Sequence, residues 1–336
     1  MMRPRVSFAM AAEKTQHVFD ERLYDRLGRH CEILSVTPME DFTTQQARDL
    51  LAKTDILVTG WGSPFVGEDV LRLAPRLRLI AHAAGTVKYT IGEAVYAAGI
   101  AVTNAAAANA VPVAEYTLAA IIFANKKVFD LRDAYRRDRD GSSSWPLMSG
   151  PIGNYRRTVG LIGASRIGRR VAELLEILDV EILLHDPYVT ADDPIAKRIT
   201  LVDLDSLLRG SDTISLHAPA LPATRHMIGA AEFSRMRDGA TFINTARGML
   251  VDHEAMIREL ESGRISAILD VTAPEMLETG SPLYTLPNVF LTPHVAGAGG
   301  LERLRLGEMA VSEIERFISG HPLEHAIQPE LLERSA

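Results

Sequence analysis

Three short segments carry residue types able to hold an anion and move a proton. They are Asn244-Thr245-Ala246-Arg247-Gly248, Asp270-Val271-Thr272-Ala273-Pro274-Glu275 and Thr292-Pro293-His294-Val295-Ala296-Gly297. Each follows an apolar run of strand length, so Arg247, Glu275 and His294 are expected just past strand ends. In open parallel α/β sheets, ligands bind at that edge. A guanidinium fork suits a planar substrate carboxylate. An imidazole exchanges protons near neutrality, and a carboxylate on its far nitrogen orients the ring and favours its protonated form. Singly, each residue has a plainer reading: a surface arginine, a solvated glutamate, a Pro-His turn. Order and strand-end placement set them apart. The chain has ten histidines, and His82, His217 and His253 lack such companions. His82 reads as structural or at a substrate mouth, and His253 as an exposed helix start.

A second constellation lies upstream. Thr158-Val159-Gly160-Leu161-Ile162-Gly163-Ala164-Ser165-Arg166-Ile167-Gly168 reads as a buried strand, a tight turn and a helix start. Small residues there let the backbone approach a pyrophosphate, and a helix N-terminus favours negative charge. The full pattern is G-x-G-x-x-G, and Ser165 stands at its second glycine. Serine is small and its hydroxyl can bond a phosphate, but it is less permissive if the turn needs positive φ. The strand Val180–His185 follows and ends in Asp186, near the spacing at which an acid meets a ribose 2′-hydroxyl. A carboxylate there repels a 2′-phosphate, so NAD (NADH) is expected in preference to NADP. The plainer role for Asp186 is a turn residue before Pro187.

These residues need parallel sheets behind them. Apolar runs at Val6–Met10, Glu32–Val36, Ile56–Thr59, Leu77–His82 and Ile100–Thr103 alternate with helical patterns at Thr15–Leu27, Thr43–Leu51 and Gly92–Ala98. A second series runs through Val159–Gly163, Val180–His185, Thr213–His217, Thr241–Asn244, Ile265–Leu269 and Val289–Leu291, with helices clearest at Ile167–Leu178 and Asp252–Glu261. About five strands and then about six are expected, in α/β sheets with helices on both faces. Between the series lie an apolar helix-like stretch, Val113–Phe129, a charge run, Arg136–Asp140, read as a solvated face, and a loop at Gly141-Ser142-Ser143-Ser144. A further helix, Leu301–Ile318, returns the chain toward its first part.

With 336 residues there is room for two domains. Lys+Arg number 36 against 43 Asp+Glu, which argues against nucleic acid and anionic membrane as partners. Cys31 is the single cysteine, so an intrachain disulfide and a cysteine-rich zinc site are excluded. No apolar run is expected to span a membrane, and Met1 to Met10 is too short for a signal segment. A soluble cytoplasmic protein is the expectation. Asp186, His217 and Asp270 stand at strand ends without a close ligand pair, so no metal is expected. No lysine with Ser/Thr closes the glycine turn as a Walker loop requires.

Taken in order, these motifs resemble those of the D-isomer-specific 2-hydroxyacid dehydrogenase family. The similarity runs from Val113-Ala114-Glu115 through the glycine turn, Asp186 and Ser215-Leu216-His217-Ala218-Pro219 to Met249-Leu250-Val251-Asp252 and the three closing segments. It implies a Rossmann-type doubly wound NAD-binding domain over 116–304, inserted in a flavodoxin-like substrate domain made of 1–115 and 305–336. It further implies a homodimer, with an arm near 129–155 that includes Trp145. Cofactor contacts would come from Gly163, Ser165, Arg166, Ile167, Gly168, Asp186, His217, Pro219, Thr245, Ala246, Asp270 and His294, and substrate contacts from Ala84, Gly85, Thr86 and Arg247. Two motifs depart from the family. Its G-x-G-x-D loop is Ala84-Gly85-Thr86-Val87-Lys88 here, and its Asn-x-Pro-Gly is Asn104-Ala105-Ala106-Ala107.

The implied activity is hydride transfer between nicotinamide and a 2-oxo or 2-hydroxy acid, with Arg247 as anchor, His294 as acid–base and Glu275 tuning it. A corepressor-like NAD(H)-sensing scaffold is the alternative. Glu275 disfavours the formate dehydrogenase branch, which carries glutamine at that place. Trp61 and Lys88 point to a substrate with a larger tail or an additional anionic group.

Overall fold

Five short apolar strands form one parallel sheet in the computed structural model, which describes residues 3–329. They are β1 (Arg5–Ala9), β2 (Glu32–Ile33), β3 (Ile56–Thr59), β4 (Leu79–His82) and β5 (Ala101–Asn104), in the order β2-β1-β3-β4-β5. This is the flavodoxin-like order. Every residue of β3 and β4 is buried, as expected of strands covered on both faces. One face packs on the C-terminal helix Leu304–Ile318 through Leu306, Ala310, Val311 and Ile314. Gly307 lets the same helix approach the end of the helix Ala12–Val18, because a Cβ there would lie 2.1 Å from the Val18 carbonyl oxygen.

The second sheet holds β6 (Arg157–Ile162), β7 (Val180–His185), β8 (Thr200–Leu201), β9 (Thr213–Leu216), β10 (Thr241–Asn244), β11 (Ser266–Leu269) and β12 (Val289–Leu291). Its order is β12-β11-β10-β9-β6-β7-β8, all parallel. Counted from β6, this is the Rossmann doubly wound order with one more strand on the far edge. The strand order reverses direction between β6 and β9, and the glycine turn leaves β6 there. The following helix, Arg166–Leu175, buries Gly168, Val171, Ala172 and Leu175, spacings that place one face on the sheet.

The chain divides into two units. One runs to Asn109 and resumes at Ala298, and the other is Ala110–Gly297. The crossings therefore fall earlier than the expected 115/116 and 304/305. A bond from the Ala298 amide to Asn109 Oδ1 (3.0 Å) ties the two crossing segments together. Residues 330–336 of the expected C-terminal segment, and Met1 and Met2, lie outside the described residues.

Four sequence expectations change. The second sheet has seven strands because two-residue β8, too short to show a pattern, pairs with β7. The helix expected over Thr15–Leu27 is two, Ala12–Val18 and Glu21–His30. Phe19 turns inward in extended conformation, and Asp20 caps the second helix by accepting from the Leu23 amide (2.9 Å). The apolar stretch from Val113 belongs to a longer helix, Ala106–Asn125, with Pro112 inside it. That helix is long and apolar enough to cross a membrane by length and composition, contrary to the expectation of no such run. In this fold Ala114, Ile121 and Ala124 pack into the core of the second sheet. The charge run Arg136–Asp140 is exposed, as expected.

Candidate active site

Strands β10, β11 and β12 are sheet neighbours, and their last residues are in register: Asn244 opposite Leu269, and Leu269 opposite Leu291. The three segments named first therefore leave one edge side by side. Asn244 shapes the first. Its Oδ1 accepts the Ala246 amide (3.0 Å) and its Nδ2 donates to the Arg247 carbonyl (3.0 Å). The exposed Arg247 guanidinium bonds only its neighbour's carbonyl, Ala246 O, at 2.6 Å. Among the described residues it has no acidic partner, so the fork faces solvent with its charge uncompensated.

Gly248 locks this segment to the next. A Cβ at Gly248 would lie 2.0 Å from the Thr272 carbonyl carbon, so only glycine lets the two backbones meet. The Thr272 hydroxyl then reaches the carbonyls of Pro274 (2.8 Å) and Glu275 (3.1 Å). Glu275 Oε1 stands 2.5 Å from His294 Nδ1. A carboxylate accepting from Nδ1–H leaves Nε2 free for proton exchange. Both side chains are about half exposed, 47% for His294 and 56% for Glu275.

Asp270 builds the third segment from below. It is buried, and its carboxylate accepts from the Thr292 hydroxyl (2.6 Å) and from the amides of Val295 (2.8 Å) and Ala296 (2.9 Å). Since Thr292 gives its proton to Asp270, the Tyr116 hydroxyl must donate to Thr292 (2.8 Å). His294 itself has φ 56°, an uncommon left-handed conformation for a side-chain-bearing residue. Its amide bonds to the carbonyls of Asp270 (2.9 Å) and Thr292 (3.1 Å) hold it there. Asp270, expected at the cofactor, thus serves first as the anchor of the histidine loop. Tyr116 and Thr292 escaped sequence reasoning because their role exists only through that buried carboxylate.

The residues at the glycine turn fit a dinucleotide. Gly163 has φ 99°, and a Cβ there would lie 2.6 Å from the Ala218 amide nitrogen. A Cβ on Gly168 would lie 2.1 Å from the Gly163 carbonyl oxygen. The turn is therefore bare backbone leading into the amino end of a ten-residue helix, whose first amides have no intrahelical partner. Arg166 is exposed and Ile167 partly so. Ser165 has a local role as well. Its φ of −61° demands no glycine, and its hydroxyl accepts the Gly168 amide (3.3 Å) as the helix cap. As an acceptor in that bond, the hydroxyl keeps its own hydrogen to donate.

Asp186 fills the turn role offered for it. One carboxylate oxygen accepts the Ala164 amide (2.7 Å) in the glycine turn, and the other accepts the Tyr188 amide (2.8 Å). The acid is held against the turn with lone pairs to spare. His217 is buried, with Nε2 2.9 Å from Ser215 Oγ and, among the described residues, no partner for Nδ1. Burial pushes its pKa down to about 3. Pro219 is partly buried, and its carbonyl accepts the Thr224 hydroxyl (2.6 Å). Thr245 and Ala246 are buried. Thr117 donates to the Val113 carbonyl (2.8 Å), so the Thr245 hydroxyl donates to Thr117 (2.9 Å) and braces its own turn.

In the other unit, Ala84, Gly85 and Thr86 follow β4. Neither Ala84 nor Thr86 has positive φ, so the lost family glycines cost no backbone strain. The Ala84 carbonyl accepts the Ala105 amide (2.9 Å), and the Thr86 hydroxyl accepts the Lys88 amide (3.4 Å). His82 is buried beneath, Nδ1 2.9 Å from Thr59 Oγ1. Burial lowers its pKa to about 4, against a raising backbone bond with Thr86. Asn104 accepts the Ala106 amide (3.3 Å) at the helix start, the local use of the altered Asn motif. His253, expected to be exposed, is half-buried and fully hydrogen-bonded. Among the described residues one group, Glu313, Glu324 and His325, has metal-ligand spacing. The Glu313 oxygens there accept the amides of Glu324 (3.3 Å) and His325 (3.1 Å), which makes it a loop brace.

Comparison with known proteins identifies the family. Residues 118–296 match the model of the D-isomer specific 2-hydroxyacid dehydrogenase, NAD binding domain. A glyoxylate reductase of Aeropyrum pernix is 34% identical over 332 residues, covering 95% of this chain and 94% of that protein. A D-3-phosphoglycerate dehydrogenase of Archaeoglobus fulgidus is 31% identical over 80% of this chain, which spans about half (51%) of that protein's length. Among solved structures, the NAD-complexed D-isomer specific 2-hydroxyacid dehydrogenase of Lactobacillus delbrueckii superposes with a TM-score of 0.77. It is 25% identical, with 96% of this chain and 100% of that one covered. The chain belongs to the D-isomer specific 2-hydroxyacid dehydrogenase family.

Proposed function

We propose that this chain interconverts a D-2-hydroxy acid and its 2-oxo acid with NAD(H), using Arg247, Glu275 and His294. The observation that carries the reading is the 2.5 Å contact between Glu275 and His294 Nδ1, on the strand end next to that of Arg247. The bound nicotinamide supplies or accepts the hydride. Arg247 holds the substrate carboxylate through its fork and polarises the carbonyl as negative charge grows on its oxygen. His294 Nε2 delivers the proton to that oxygen in reduction and takes it back in oxidation. Glu275 fixes the ring and faces the positive charge that the proton brings.

Gly163, Ser165, Arg166, Ile167 and Gly168 would hold the pyrophosphate on backbone. Asp186 at the end of β7 favours NAD over NADP by repelling a 2′-phosphate. His217, Pro219, Thr245, Ala246 and Asp270 line the neighbouring strand ends. Ala84, Gly85 and Thr86 are the proposed carboxylate contacts of the first unit. Two copies would pair through 129–155, where Tyr135, Trp145, Met148 and Tyr155 expose apolar surface.

The test is oxidation of NADH and NADPH, in parallel, against glyoxylate, hydroxypyruvate, pyruvate and phenylpyruvate. Turnover with NADH is expected for at least one acid. His294→Ala and Arg247→Ala should each lower kcat/KM by about a hundredfold or more while NADH still binds. Near-normal rates in both variants would sink the assignment of roles.

A further inference from the structure

We propose that His253 is a positioning residue for the His294–Glu275 pair and works only as a neutral ring in one tautomer. The inference rests on the acid–base reading of His294 and concerns the segment that carries its partner. His253 opens the helix His253–Glu261. Its Nδ1 lies 3.1 Å from the Val251 carbonyl oxygen, and its Nε2 accepts the Ala273 amide at 3.1 Å. An amide can only donate and a carbonyl can only accept, so Nδ1 carries the hydrogen and Nε2 must be bare.

The ring thereby bridges the segment after Arg247 to the one that ends in Glu275. Among the described residues, His253 is the side chain outside 272–275, apart from His294, that hydrogen-bonds to this segment. The Thr272 hydroxyl bonds only within it. The charged groups acting on the ring are Asp252, its neighbour in sequence, and exposed His226, whose amide bonds to the Met249 carbonyl. A second proton would set Nε2–H against the Ala273 N–H. The clash would release Ala273 and let Glu275, two residues on, drift from His294. Burial, which holds the ring below the usual histidine range, defends against this.

The experiment follows the His294 Nδ1 proton by NMR in the full chain with labelled histidine rings. A short bond to a carboxylate moves such a proton far downfield, and Glu275→Ala identifies the resonance by removing it. His253→Ala should lose the resonance or move it upfield. His253→Gln should keep it, because a glutamine amide can donate to Val251 and accept from Ala273. A wild-type resonance in His253→Ala overturns the proposal. On acidification the resonance should survive to lower pH in His253→Gln than in the wild type, and equal midpoints overturn the proposal even if His253→Ala fails to fold. With an acid that turns over, kcat should fall about tenfold in His253→Ala at nearly constant KM, with recovery in His253→Gln. The NMR pattern without any turnover would leave this inference standing and remove the proposed reaction.

Discussion

At the scale of single residues, the chemistry depends on contacts that lack functional groups of their own. Gly248 has no side chain, yet it sets how closely the arginine segment meets the glutamate segment. Gly248→Ala places a methyl inside the Thr272 carbonyl group. The variant should lose about 1–3 kcal/mol in urea unfolding and much of its turnover, with Arg247, Glu275 and His294 all intact. Wild-type stability and rate in Gly248→Ala would show that the backbones can part freely. The sequence made the arginine, glutamate and histidine legible because their order along the chain is distinctive. It could not show that Asp270 is spent on Thr292, Val295 and Ala296, that the Ser165 hydroxyl caps a helix, or that His253 is half-buried. Those facts depend on which groups the fold brings together, which spacing along the chain does not encode.

At the scale of elements, the site is a set of strand ends in register, each finished by a loop with its own anchor. Asp270 is the anchor of the histidine loop. Replacing it by asparagine turns one acceptor oxygen into a donor that faces an amide. Asp270→Asn should cost roughly 3 kcal/mol, since buried bonds to a charged acceptor are lost and donors are left unmet. Relaxation of the left-handed His294 backbone should lower kcat more than it raises KM, which unfolding and steady-state kinetics on one preparation will check. Strands were legible where the apolar run was long enough to stand apart from its neighbours, as in β3, β7, β10 and β12, whose limits match the expected runs. Two of the edge strands were not: β2 keeps two of five expected residues and β8 gave no signal, because each pairs over only two residues. The break at Phe19–Asp20 was hidden because an inward-turned phenylalanine keeps the helical spacing of apolar residues across the gap.

At the scale of the whole molecule, two buried neutral histidines make stability depend on pH. His82 falls to about 4 and His217 to about 3 from the ordinary 6.5, both through burial. The unfolded chain therefore takes up protons first as pH falls. Their contribution is fully present above about pH 6.5 and declines by up to about 1.4 kcal/mol per pH unit for each histidine. It is spent at the folded values. Asp193, held down to about 2 by the Arg169 guanidinium, adds a loss confined to pH below 3.8. Urea unfolding at a series of pH values should show the decline beginning near 6.5. His82→Gln and His217→Gln should each make it shallower, and an unchanged slope in both would refute the assignment. The parallel α/β class follows from the alternation seen in the sequence and the Rossmann-type and flavodoxin-like arrangements from the family resemblance, whereas the crossings at Asn109 and Ala298 are not marked by the alternation. Those crossings carry a consequence for descent. Arg247, Glu275, His294 and the glycine turn all lie within Ala110–Gly297, one continuous stretch of the chain. One transferred segment can carry all of these residues into another gene, while the companion unit, assembled from two stretches of the chain, must be inherited as two pieces or left behind.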